Sequence, residues 1–369
     1  MNIILTALLT LQGQSHPKVD QAKVDAAIDQ SCSFLKGHLD FVMNKDVFMS
    51  WEKTNPGSFH QRCQELVLLT LHYGGVSPED EIFKKLLEAV LAAPIETTYR
   101  AALQAMALSK IDAKKYQSRI AQCGQALVDS QAQNGQWCYG HPTDTPVPPA
   151  RDIQTKGKET AVLPKIALAK KKPGCPHGDN SNSQYAALGL RACIESNVEI
   201  PIDVLKKAKE AWERSQKADG SWDYGTPSNV RQSVQPPGTY GSMTVGGIAA
   251  LSILKYYLKE TVKGDSKIVA AMNWVGRNFS TSENPGYQNH HVFYWLYGLE
   301  RAGDLYGVDK FGAHDWYAEG ANWLLEKQQP DGQWNQTKLE NNIAATCFAV
   351  LFLRRATAPL PKISTGKGK

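Results

Sequence analysis

A seven-residue pattern, Gln-x-x-x-Gly-x-Trp, occurs three times in this chain of 369 residues: Gln131 to Trp137, Gln216 to Trp222 and Gln328 to Trp334. Each copy closes an amphipathic helix. Before the second copy, Val204, Leu205, Ala208 and Trp212 mark one face while Lys206, Lys207, Lys209 and Glu210 fill the other, the 3.6-residue period of a helix with one buried side. The Asn-Gly or Asp-Gly step inside each motif supplies a residue that tolerates positive φ and ends the helix. After a loop, each copy is followed by a segment that is apolar nearly all round and rich in small residues, at 185–194, 243–254 and 343–353. A helix hydrophobic on every side is buried on every side.

Degenerate copies fill the rest of the chain. Val24, Ala27, Ile28 and Leu35 describe an amphipathic helix, followed by Trp51 and the apolar run 66–71. Ile82, Phe83, Leu86, Leu87 and Val90 precede a second run at 101–108, and Ile268, Val269, Met272 and Val275 precede a third at 292–299. Six amphipathic helices thus alternate with six buried ones. The pattern predicts an all-α (α/α)6 toroid of six helical hairpins, with an inner ring of buried helices and an outer ring of amphipathic ones. An open α-solenoid is the alternative, but its helices would not separate so cleanly into two burial classes. The toroid is expected over residues 16–356, with a long Pro- and Lys-rich loop at 138–178 and a flexible basic tail at 357–369.

Hydrophobic content of 42% and charged content of 21% suit a globular chain with an ample core. A net charge of +5 makes no case for nucleic acid. The seven cysteines are odd in number and contain no C-x-x-C pair, which argues against a disulfide framework. The first eleven residues are apolar and resemble a short export signal, so residues 1–15 are a candidate signal peptide, although a positive n-region and a clean cleavage site are missing. The localisation expected on that basis is periplasmic or extracellular, and otherwise cytoplasmic. No later run approaches the length of a membrane span.

The three motifs resemble the repeat of squalene–hopene and oxidosqualene cyclases, with related repeats in protein prenyltransferase β subunits. Stretches 178–190, 239–254, 293–307 and 314–325 are similar to bacterial prenyltransferase and squalene-oxidase repeat proteins of planctomycete type. The resemblance covers about residues 20–356 and implies a terpenoid-cyclase-like α/α-toroid. It also implies a structural rather than catalytic role for Gln131, Trp137, Gln216, Trp222, Gln328 and Trp334. The catalytic signatures of those families do not come with it. The sequence has no Asp-x-Asp-Asp, whose chemistry needs a carboxylic acid held neutral, no Asp-Asp-x-x-Asp and no Asp-x-Cys. Classical cyclase and prenyltransferase activities are therefore not expected.

Parallel inner helices gather their N-termini at one end of the ring, where backbone dipoles favour anions. Polar residues open these helices: His60 and Gln61; Thr97, Tyr99 and Arg100; His177, Asp179, Asn180 and Asn182; Tyr240 and Thr244; Tyr287, Asn289, His290 and His291; Asn341 and Asn342. From these the candidate catalytic groups are His177, Asp179, His290 and His291. The candidate ligand-binding residues are Tyr99, Arg100, Asn182, Tyr240, Tyr287, Trp295 and Asn342. Cys175, His177 and Asp179 form a weak zinc-type set. The competing reading makes these residues helix caps around a water-filled funnel. The lysines of the long loop, including Lys156, Lys158, Lys165, Lys170, Lys171 and Lys172, read as a lid or partner-binding arm, or else as a solvated excursion.

Two functions follow from this pattern. One is an enzyme of the cyclase/transferase kind, or a carbohydrate-active enzyme on a similar barrel. The other is a non-catalytic repeat domain that binds an anionic ligand, a glycan or a protein partner. No cofactor is named by any motif.

Overall fold

A computed structural model of the protein describes residues 18–39, 42, 63–140, 163–225, 238–335 and 342–361. Trp51, His60, Gln61, Asn341, Lys156, Lys158 and the apolar N-terminal segment lie outside them. Among the described residues there are twelve helices in strict alternation. The outer set is α1 (Gln21–Gly37), α3 (Glu81–Ala92), α5 (Gln117–Ser130), α7 (Ile202–Ser215), α9 (Ser266–Arg277) and α11 (Trp316–Lys327). The inner set is α2 (Gln64–Tyr73), α4 (Thr98–Asp112), α6 (Asn180–Glu195), α8 (Gly241–Tyr257), α10 (Val292–Tyr306) and α12 (Asn342–Leu353). Outer helices bury one stripe, as α7 does with Val204, Leu205, Ala208, Ala211 and Trp212. Inner helices bury nearly everything, and all of α10 is inaccessible.

Each inner helix touches the next, and α12 returns to α2. The chain is a closed α/α-toroid, not an open solenoid. The third motif makes the closure visible: Gln328 Nε2 donates to Ala27 O of α1 at 2.8 Å and to its own Gly332 O at 3.2 Å. Ser31 Oγ, also on α1, donates to Gly332 O at 2.8 Å.

The other two motifs repeat this geometry on their own neighbours. Gln131 Nε2 joins Gly135 O to Val204 O of α7, at 3.2 and 2.9 Å. Gln216 Nε2 joins Gly220 O to Lys267 O of α9, at 2.9 and 2.8 Å. Each motif glycine has φ near +90° and lies so close to the next outer helix that a Cβ would meet a backbone carbonyl. Only glycine meets both demands. The indole N–H of each motif tryptophan turns back to its own outer helix, donating to Leu127 O, Trp212 O and Leu324 O at 2.7, 2.9 and 3.0 Å. Its backbone N–H donates to a hydroxyl in the first turn of the next inner helix, respectively Ser183, Thr244 and Thr346. One motif therefore joins three helices.

Residues 163–178, the described part of the long loop, run along the outside of α5. Cys138 and Cys175 form a disulfide, which corrects the expectation drawn from the odd cysteine count. It also removes Cys175 from any zinc set. The described lysines of this loop do not form a lid. Lys170 Nζ donates to Val128 O and Gln131 O, both at 2.9 Å, capping the last carbonyls of α5, where a cation is favoured. Lys165 pairs with Glu199 at 2.9 Å. A parallel bridge of Ile166–Ala167 with Val198–Glu199 holds the segment in place.

Residues 357–361, assigned to the tail by the sequence, pack across the far mouth of the ring. Thr357 donates from its backbone N–H and its hydroxyl to the buried Glu300 carboxyl of α10, both at 2.8 Å. Burial, reinforced by nearby Asp304, pushes the Glu300 carboxyl up to about 8.

Three outcomes test this frame. Gln328→Ala removes the amide that ties the two ends of the ring, while Ser31 Oγ still reaches the carbonyls of Ala27 and Gly332, so it should cost ~1–2 kcal/mol in denaturant unfolding. Trp222→Ala, which empties a fully buried site, should cost ~3–5 kcal/mol. A Glu300→Gln protein should melt higher than the native one by a margin that grows as pH rises from about 4.5 toward 8. Over that range the unfolded carboxyl ionises while the folded one stays protonated.

Candidate functional site

The helix ends converge as the sequence leads one to expect. Tyr99 of α4, Ser181 of α6, Tyr240, Ser242 and Met243 at the start of α8, and His291 and Tyr294 at the start of α10 line one cavity of about 90 Å³. Tyr139, Tyr224 and Tyr287 complete its wall from the preceding loops. Six tyrosines and one histidine thus surround a single space.

Hydroxyls meet at the wall. Tyr294 Oη lies 3.0 Å from Ser181 Oγ and 3.2 Å from Tyr99 Oη, and Tyr99 Oη also bonds Ser181 Oγ. Gln184 Nε2 donates to Tyr294 Oη at 2.7 Å, and Gln184 Oε1 accepts from Arg301 Nη2 at 3.1 Å. Nearer the rim, Tyr139 Oη and Tyr224 Oη are 2.9 Å apart. Tyr139 is 49% exposed, so its ring stands at the opening. Burial holds the Tyr99, Tyr224 and Tyr294 hydroxyls well above the ordinary phenol range, so they stay protonated.

Two of these tyrosines belong to the motifs. Tyr139 and Tyr224 each sit two residues after a motif tryptophan. Their backbone carbonyls accept from Thr98 N and Asn180 N, which open α4 and α6, at 3.0 and 2.9 Å. The motif therefore hands the chain directly to the cavity wall. The Trp-x-Tyr spacing was the signal that could have found them. Ser181, Ser242, Met243 and Tyr294 were missed as well, because small and apolar residues in a buried helix read as core.

The structure separates the expected catalytic cluster. His291 lines the cavity, beside the rings of Tyr287 and Tyr294. His290 approaches Tyr287 O at 3.1 Å, outside the wall. Asp179 is the N-cap of α6, accepting from Asn182 N at 2.7 Å and Asn182 Nδ2 at 2.9 Å. Burial, offset by those donors, raises its carboxyl to about 7. His177 is exposed and does not reach the cavity. Among the described residues no three His, Cys, Asp or Glu side chains are arranged to hold a metal ion.

Of the expected ligand-binding residues, Tyr99, Tyr240 and Tyr287 line the cavity. Arg100 instead pairs with buried Glu65 of α2 at 2.9 Å and with Glu96 at 3.1 Å, so its charge ties α2 to α4. Trp295 is fully buried and donates to Ser280 O at 2.9 Å. Asn182 is engaged with Asp179, and exposed Asn342 donates to Gln333 Oε1 at 2.5 Å. These four are part of the frame.

The fold and cavity define an α/α-toroid with a tyrosine-walled pocket at the mouth where its inner helices begin. No family model and no curated protein matches the sequence. Among solved structures, the chain is similar to one described as a possible member of the GH105 family from Salmonella enterica serovar Paratyphi A. The TM-score is 0.57 at 11% identity, over 96% of this chain and 99% of that one. It also overlays on the type II terpene cyclase MstE from Scytonema, with TM-score 0.36 at 12% identity over 92% and 99% of the two chains. Likeness at these identities concerns fold alone. Among the described residues no helix is long and apolar enough to cross a membrane.

Burial, together with neighbouring His290, lowers the His291 imidazole to about 4. As pH falls from about 6.5 to 4, the unfolded imidazole takes a proton that the folded one refuses, so stability drops across that window. His291→Asn, which keeps the left-handed backbone at φ 56° accessible, should flatten this part of the melting temperature–pH curve.

Proposed function

We propose that this protein is a ligand-binding toroid of the squalene-cyclase and prenyltransferase repeat type. Its tyrosine-walled cavity takes a single hydroxylated ring, such as a terminal sugar of a glycan. One observation carries the reading: six tyrosines line one space. An aromatic ring offers an apolar platform with a polar tip, a combination suited to a sugar's C–H faces and O–H edges. The cavity of about 90 Å³ has room for several waters, each needing roughly 10–15 Å³ on this measure. That favours one compact ring over a thirty-carbon chain. The wall also carries a cluster of hydroxyls, a polar surface that a hydroxylated ring matches better than a hydrocarbon does.

Binding without catalysis is favoured by the scatter of the acid–base candidates, since His291 alone of the four lines the cavity. Catalysis remains the second reading because the Asp179 carboxyl, raised to about 7, changes protonation near neutral pH. The GH105 description of the Salmonella toroid agrees with a saccharide in either case. The Cys138–Cys175 disulfide supports export, because such bonds persist in oxidising compartments.

Saturation-transfer NMR with glucose, galactose and cellobiose tests the reading. Transfer to at least one sugar is expected, and Tyr287→Ala should weaken it by about tenfold or more, the loss of a stacked aromatic contact at a ligand site, with the fold intact by circular dichroism. Silence toward every saccharide, with binding of geranylgeraniol instead, would reject the sugar reading in favour of a terpenoid.

A further inference from the structure

Arg301 is 1% exposed in the middle of α10. Its guanidinium lies over the faces of Tyr297 and Tyr185, at 4.3 and 4.9 Å from their centroids, and its Nη2 donates to Gln184 Oε1. No carboxylate bonds Nε or Nη1, and the polar group that interacts with this guanidinium besides Gln184 is the Tyr185 hydroxyl. The adjoining carboxylates are turned elsewhere. Glu300 holds Thr357, and Asp304 holds Arg355. Burial moreover pushes the Glu300 carboxyl up, which weakens its charge toward Arg301. A buried cation without a carboxylate on it is costly, and native structures normally pair one.

The charge also fixes the direction of the first two hydrogen bonds that lead from it toward the cavity. A guanidinium only donates, so Gln184 must present its oxygen to Arg301 and its NH2 to Tyr294 Oη. Tyr294 Oη, already accepting at 2.7 Å from below, shares its own hydrogen with the Ser181 and Tyr99 hydroxyls at the wall. The relay therefore runs from a buried positive charge through Gln184 to a group of three hydroxyls at the wall. Around the same space α6, α8 and α10 begin, and their N-terminal dipoles add potential of the same sign. The masking effect of water is weak there, because the relay residues Ser181, Gln184 and Arg301 are all buried.

We propose that Arg301, acting through Gln184 and Tyr294, polarises the cavity to receive an anionic oxygen group, so that its natural ligand is a hydroxylated ring bearing a carboxylate. This rests on the sugar-binding reading above and deepens it. Arg301 and Gln184 are positioning residues. The contacts to ligand come from the tyrosine and serine hydroxyls.

The test is calorimetric titration of the full chain with D-glucose, D-glucuronate and D-glucose 6-phosphate, which differ only at C6. The expected result is glucuronate bound about tenfold or more tighter than glucose, the scale for a unit charge roughly 10 Å from a buried cation at an effective dielectric of about 20. Gln184→Glu gives the relay a different polarity at equal volume: the new carboxylate pairs with Arg301, and Tyr294 must donate inward. The glucuronate-to-glucose preference should then fall about tenfold, with the melting temperature maintained or raised. Should that variant not fold, Arg301→Lys keeps the charge, and the preference should survive in it.

Equal affinity for glucose and glucuronate in the native protein would overturn the proposal while leaving the sugar cavity standing. Failure of all three probes would remove the sugar-binding reading itself. Glucose 6-phosphate binding tighter than glucuronate would keep the anion site but overturn the carboxylate assignment. A native preference that Gln184→Glu leaves untouched would separate the anion site from Arg301, and so overturn the relay.

Discussion

The ring depends on a side-chain amide that behaves as a piece of backbone. Gln131, Gln216 and Gln328 each donate both amide hydrogens to carbonyls, one in their own turn and one in the next outer helix. A backbone carbonyl has two lone pairs, so one inside a helix can accept a second bond from outside it, and an amide with two donors ties such a carbonyl to one in the adjoining turn. The glycine four residues on lets the turn approach the neighbouring helix, and the tryptophan then carries the chain from the outer layer to the inner one. Three repetitions define half of the ring's hairpins. The third acts between the two ends of the sequence, through bonds spanning about 300 positions, so that closure and repeat are one interaction.

That frame was legible in the sequence because it is periodic. Motif spacing, the one-sided face of 202–215 and the all-round apolarity of 241–257 each report a local property, and local properties survive in a linear text. Asp179, Asn182 and Arg100 show where such reading stops. A polar residue at the first turn of an inner helix either caps the turn or faces the axis, and one-dimensional sequence does not distinguish the two directions. Asp179 caps. Arg100 turns sideways to Glu65, an acid in the preceding inner helix whose partner no spacing rule identifies. Tyr99, next to Arg100, faces the axis.

The wall tyrosines were hard to read for the opposite reason. Tyr294 lies in a run of aromatics that any apolar helix would carry, and its role comes from Ser181 and Gln184, more than a hundred residues earlier. The Cys138–Cys175 bridge was hidden by an odd count, since five further thiols are buried as small hydrophobes. Counting argues about a complete framework. It does not exclude one bridge where two residues meet at the base of a loop.

Parallel inner helices give this fold an electrical polarity that an antiparallel bundle would cancel. One mouth gathers N–H groups and the other gathers carbonyls. The far mouth is bordered by the chain itself, through Thr357 on Glu300 and Arg191 Nη2 on Pro359 O at 3.3 Å, beside a smaller cavity of about 40 Å³. The near mouth keeps its cavity, its hydroxyls and a buried guanidinium beneath them. The carboxyl at this end, Asp179, is taken up by Asn182. The two beside Arg301 on its own helix are engaged by Thr357 and Arg355, which makes a ligand a natural place to look for the charge that answers Arg301.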